Sequence, residues 1–153
     1  MKKLILTIVP GVGAAIAIGL LSWLEHQQSA LALLMAPFGA TTVLVFGVPD
    51  SPLAQPRNVI FGHLLTALIG VCFVQFSGVT PFTLSLATGL AVTGMLATGT
   101  THPPVGANPL LIMMTGQGWS FLLSPVLSGA VVIVLLGWLH QRLRARARLA
   151  ASA

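Results

Sequence analysis

Acidic residues are almost missing from this 153-residue chain: Glu25 and Asp50 are the only two. Hydrolytic chemistry needs a nucleophile held by a base or a pair of carboxylates, and two acids with four histidines supply neither, so no enzymatic activity is expected. Charge of either sign is scarce, at 6% of residues against 56% hydrophobic. The mean hydropathy is +0.97. A water-soluble domain of this size could not cover so much apolar surface, so the expectation is a membrane protein. A single cysteine, Cys72, rules out an intrachain disulfide and a thiolate metal cluster within one chain, and it reads as a small buried hydrophobe.

The net charge of +5 comes from Lys2, Lys3, Arg57, Arg142, Arg144, Arg146 and Arg148. These are too few and too polarised to form a nucleic-acid surface, and they read as topology signals. The basic start and apolar middle of residues 1–27 resemble a secretory signal. The run from Leu4 to Leu24 is nevertheless long enough to span, and it is read as the first helix.

Apolar segments cover residues 4–24, 31–48, 58–76, 79–99, 103–115 and 119–139. Four approach the roughly 20 residues that a helix needs to cross a bilayer. The second is cut by Pro37, and the fifth, after His102-Pro103-Pro104, is equally short. Laid together, "APFGATTVLVF" and "PPVGANPLLIM" align Pro37 with Pro104, Gly39 with Gly106, Ala40 with Ala107 and Thr41 with Asn108. Each short piece sits between two long ones. The pattern predicts an all-α polytopic protein, one transmembrane domain over 1–153. It comprises a 3+3 inverted repeat (about 4–76 and 79–140) and a basic tail at 141–153.

Basic residues at both ends place both termini in the cytoplasm and require an even number of crossings. Arg57 favours six over four, because six put its loop inside. The protein is therefore expected to be multi-pass, in the inner or plasma membrane if bacterial.

The prolines at 37, 103 and 104 suit first-turn positions, where a missing N–H costs little. Gly39, Ala40, Gly106 and Ala107 then leave both first turns bare of side chains. Helix starts carry partial positive charge and free amides, so two of them facing a polar cavity would hold an anion without a buried cation. Pro109 removes the hydrogen bond that the Val105 carbonyl would otherwise accept. His102 reads as proton carrier, anion donor or cap. His63 faces the same cavity or sits at the inner end of its helix. Thr41 and Asn108, matched by the repeat, are the favoured polar lining, and Arg57 either pairs with Asp50 or draws anions to the inner mouth.

Three stretches, "PFGATTVLVF", "SPLAQPRNVIFGH" and "THPPVGANPLL", resemble in order the motifs of the HPP family of small membrane proteins. The family is described with four spanning helices, and its plant plastid and cyanobacterial members are associated with nitrite transport. What the resemblance implies is a transporter or channel for a small monovalent anion, with nitrite the leading candidate. The expected substrate-binding set is His102, Gly39, Ala40, Thr41, Gly106, Ala107, Asn108, Pro104, Pro37, His63 and Arg57, with no metal, no cofactor and no nucleic acid. The partners would be the anion and the lipid bilayer, with a homodimer allowed. Rival readings are a haem- or metal-binding redox subunit using His63 and His102, a structural subunit, and a channel for ammonium or a small neutral solute.

Overall fold

The computed structural model describes residues 2–27 and 33–150, with side chains described for 7–27 and 33–147. Lys2, Lys3 and Arg148 therefore lie outside the described side chains. Among the described residues all regular structure is helical. Helix α1 is Lys2–Gln27, and α2 is Ala36–Thr42, continued by a wider π turn over Val43–Gly47. After a short 3-10 turn at Pro52–Ala54 come α3, Pro56–Phe76, and α4, Pro81–Thr98. A 3-10 turn at Pro103–Ala107 leads into α5, Asn108–Thr115. Residues Trp119–Leu127 form a 3-10 turn and a π turn before α6, Ser128–Ala150.

Among the described residues, four helical stretches are long and apolar enough to cross a membrane: Thr7–Gln27, Pro56–Phe76, Pro81–Thr98 and Trp119–Ala147. The short apolar helix Ala36–Gly47 extends only about 18 Å at 1.5 Å per residue. Of the expected basic tail, residues 141–150 continue α6, and residues 151–153 lie outside the described residues.

Local chemistry sets these boundaries. Pro56 and Pro81 each stand in a first turn, where proline needs no donor. At the start of α4, Thr80 and Thr83 form a reciprocal capping box. Gly99 and Gly116, at φ of 64° and 65°, end α4 and α5 in the left-handed conformation that glycine adopts without strain.

Close contacts fix the chain directions. Leu33, bonded to Glu25 near the end of α1, lies against Gly129, while Gly13 lies against His140, so α1 and α6 are antiparallel. Phe38 meets Gly129, Val45 meets Gly137 and Phe46 meets His140, so α2 runs alongside α6. Gly62 faces Val105, and Gly70 faces Pro109 and Ile112, so α3 and α5 are parallel. Gly94 faces Leu65 and Ile69 while Thr98 meets Arg57, so α4 runs against α3. Pro49 and Pro56 share one cavity with Trp138 and Gln141, so the start of α3 lies at the far end of α6, and direction alternates through all six pieces. The loop at 48–55, the start of α3 and the arginines of α6 share one end, called here the basic end.

Helix α3 is central: 39% of its apolar window is buried, against 11% for α1 and 17% for α4. Its small residues permit this. A methyl on Gly62 would stand 2.9 Å from the Thr100 carbonyl, and one on Gly70 would stand 3.0 Å from the Pro109 Cα. At Gly89, by contrast, an added methyl would meet nothing within 4 Å.

Candidate functional site

The first turns of the two short helices lie side by side against α3. Met35 and His102 occupy equivalent positions, each immediately before its helix, with extended φ of −144° and −140°. Neither side chain caps its helix. The His102 ring instead turns toward α2 and the loop preceding α3. Its Nδ1 lies 2.7 Å from the Leu53 carbonyl, and its Nε2 lies 3.0 Å from Thr41 Oγ1.

Thr41 Oγ1 is also 3.0 Å from Nε2 of His63, a fully buried residue on α3. On the other side of that ring, Asn108 Nδ2 lies 3.3 Å from His63 Nδ1. The same amide donates to the His63 carbonyl at 3.2 Å and to Thr66 Oγ1 at 2.9 Å. Thr66 in turn donates to the Gly62 carbonyl at 2.8 Å. Thr41, His63, Thr66, His102 and Asn108 all have no exposed surface. The Phe38 ring packs edge-on against His63 at 5.0 Å.

Buried polar groups cost about 1–3 kcal/mol each when unpaired, so a network of this size is a strong constraint on the fold. The two positions that the repeat pairs, Thr41 and Asn108, grip opposite nitrogens of one imidazole. Neither of the chain's two carboxylates joins them. Glu25 accepts from the Leu33 and Leu34 amides at 2.8 and 2.7 Å, which ties the end of α1 to the approach to α2. Asp50 lines a separate cavity of about 410 Å³ at the basic end, together with Gln141 and Arg144.

The remaining candidates divide by face. Pro37 is buried and Pro104 is half-buried. Gly39, Ala40 and Ala107 are exposed and Gly106 is half-buried, with nothing within 4 Å of a methyl built on either glycine. These small residues form the open side of the pair of short helices, and the polar network forms the closed side. Fewer first-turn amides are free than the motifs suggest: Phe38 N–H donates to the Met35 carbonyl at 3.0 Å, and Val105 N–H to the His102 carbonyl at 3.1 Å.

Two expectations are corrected. Arg57 does not pair with Asp50: its Nη2 donates to the Thr98 carbonyl at 3.0 Å, joining α3 to the end of α4. Arg57 also lines an apolar cavity of about 530 Å³ with Phe61, Leu64, Leu65 and Leu68, away from the network. The Val105 carbonyl is not left without a partner, because the 3-10 turn shifts α5 onward and the Asn108 N–H bonds to it. Pro109 then stands in the first turn of α5 instead of its interior.

The sequence did not foretell Leu53 as a partner. A carbonyl 49 positions before the histidine leaves no pattern in the chain. The bond from Asn58 to the Thr101 carbonyl, which steadies the approach to His102, was equally hidden.

A family model described as the HPP transmembrane region matches residues 2–149. The chain belongs to this family. Two transmembrane proteins of Dictyostelium discoideum are similar, at 36% and 35% identity over 128 residues, or 78% of this chain. The matched region makes up 45% and 41% of those relatives, so this HPP chain spans less than half of their length. No solved structure matches it. In this HPP protein the family's His-Pro-Pro motif thus does two things: the prolines begin a short helix, and the histidine joins that helix to α2 and to the loop before α3.

Proposed function

We propose that this HPP protein moves a small monovalent anion, nitrite being the leading candidate, across the membrane along the open side of its two short helices, and that it transports without catalysing a reaction. The observation that carries the reading is the adjacent pair of helix starts, stripped of side chains at Gly39, Ala40, Gly106 and Ala107 and backed by His102, Thr41 and Asn108. Helix starts favour negative charge, and within a low-dielectric layer that preference is stronger than in water. Carboxylates, which would repel an anion, are engaged elsewhere.

By the distribution of positive charge, the basic end faces the cytoplasm with both termini. Six alternating directions agree with that arrangement, and the two triplets then run in opposite senses, as an inverted repeat requires. A second copy covering the open side would enclose the path, which is the role proposed for a homodimer. Arg57, bonded to Thr98, serves to hold the inner ends of α3 and α4 together, with a secondary pull on anions at that mouth.

The test is nitrite uptake into liposomes. His102→Ala and Gly106→Leu should each lower it at least tenfold or so, the first by removing a buried partner and the second by filling the bare turn. Normal uptake by both variants in folded protein would overturn the assignment.

A further inference from the structure

The closed network has one direction of hydrogen bonding that pairs both imidazoles and the Thr41 hydroxyl, while the two N–H groups of Asn108 are shared among three acceptors and its Oδ1 has no partner. Leu53 offers only a carbonyl, so His102 Nδ1 must carry the proton and donate. His102 Nε2 is then a lone pair that accepts from the Thr41 hydroxyl. Thr41 Oγ1, having donated, accepts from His63 Nε2–H. His63 Nδ1 is left to accept from the Asn108 amide. Asn108 cannot be turned the other way, because its nitrogen also faces the His63 carbonyl, where an oxygen would be repelled.

An added proton fits this network in one place only. On His63 Nδ1 it would confront the N–H of Asn108. On His102 Nε2 it would confront the Thr41 hydroxyl, but that hydroxyl has a second acceptor waiting, the Pro37 carbonyl at 3.1 Å. A rotation about one bond frees the nitrogen, and Thr41 Oγ1 then accepts from both histidines.

We propose that His102 is a proton-binding site, in which Nε2 takes one proton from solvent while the Thr41 hydroxyl turns from that nitrogen to the Pro37 carbonyl, so that a proton travels with the anion. The proton adds to a lone pair and leaves from it. No other bond is made or broken.

The coupling follows from what surrounds the ring. Helices α2, α4 and α5 carry no titratable side chain. Helix α3 contributes His63, Arg57 and, two turns and more beyond His63, Cys72, the loop before it Asp50, and α6 contributes His140, Arg142, Arg144 and Arg146 toward the basic end. Of these, Asp50 alone is acidic, and it lies with Arg144 in the cavity outside the network. A protonated His102 therefore lacks a protein counter-charge, and the transported anion supplies one. The two ligands bind more tightly together than either does alone. This coupling rests on the transport reading above, whereas the proton site itself does not.

The test is solid-state NMR of the full chain in lipid vesicles with 15N-labelled histidine, signals being assigned with His102→Gln and His63→Gln. At alkaline pH, His102 should carry its proton on Nδ1 and His63 on Nε2. On acidification His102 alone of the two should become imidazolium. Saturating nitrite should raise that midpoint by about one pH unit, a tenfold gain in proton affinity. Thr41→Ser should keep the tautomers, and Thr41→Val should lose the pattern.

Protonation of His63 first, an Nε2–H tautomer on His102 at alkaline pH, or a His102 that never titrates would overturn the proton site. A midpoint unmoved by nitrite in a protein that carries nitrite would overturn the coupling. If His102 titrates as described but proteoliposomes take up no more nitrite than protein-free ones, the transport reading fails and the proton site stands.

Discussion

The two short helices carry the same Pro-x-Gly-Ala opening, yet only one of them is preceded by a group that can hold a proton. Met35 and His102 stand at matched positions with nearly the same φ. One residue further into each repeat than the Gly-Ala pair, Thr41 and Asn108 both turn inward to the same His63 ring. The first half fastens its approach through Glu25, a carboxylate on two amides, and the second through His102, a ring on a carbonyl and a hydroxyl. Matched positions therefore share the architecture, while the proposed proton site belongs to the second half alone.

His63 is where the halves meet, so its replacement should have the largest effect. His63→Leu leaves Thr41 and Asn108 facing an apolar side chain, and the loss of stability should be about 4 kcal/mol, measured by denaturant unfolding in detergent. A loss under about 1 kcal/mol would mean that the halves are joined elsewhere. His102→Met makes the second half like the first. Nitrite flux should fall about tenfold and lose its pH dependence, whereas Met35→Leu, a swap of similar volume, should leave the pH dependence intact. Equal effects of the two substitutions would erase the asymmetry.

Smaller changes sharpen the account. Glu25→Gln keeps the shape but removes the charge from two hydrogen bonds, and it should cost about 1 kcal/mol in the same unfolding assay. Alanine at Gly39 or Gly106 should change stability by less than about 0.5 kcal/mol, since a methyl meets nothing there. Alanine at Gly70, against the Pro109 backbone, should cost about 2 kcal/mol.

Much of this was legible in the sequence, for identifiable reasons. Segment length and hydropathy marked the four long helices and both short ones, because a bilayer imposes a minimum apolar length. The Pro-x-Gly-Ala repeat picked out Thr41 and Asn108, because a fixed offset from a helix start selects one face. The partners of His102 were not legible. Its ring could have capped its own helix, and only tertiary packing brings Leu53 and Thr41 to its two nitrogens. Arg57 and Asp50, close in sequence, invited a pairing that the fold does not make, because the Thr98 carbonyl at the end of α4 is the nearer acceptor.

The most direct test of the anion path is solvent access to the open side. In a Cys72→Ala background, single cysteines at Ala40 and Ala107 should react with a charged, water-soluble thiol reagent in lipid vesicles, and nitrite should slow both reactions. Cysteines at those positions that stay unreactive, or that react at a rate indifferent to nitrite, would contradict the account, because that side would then face lipid or a dry contact instead of the anion.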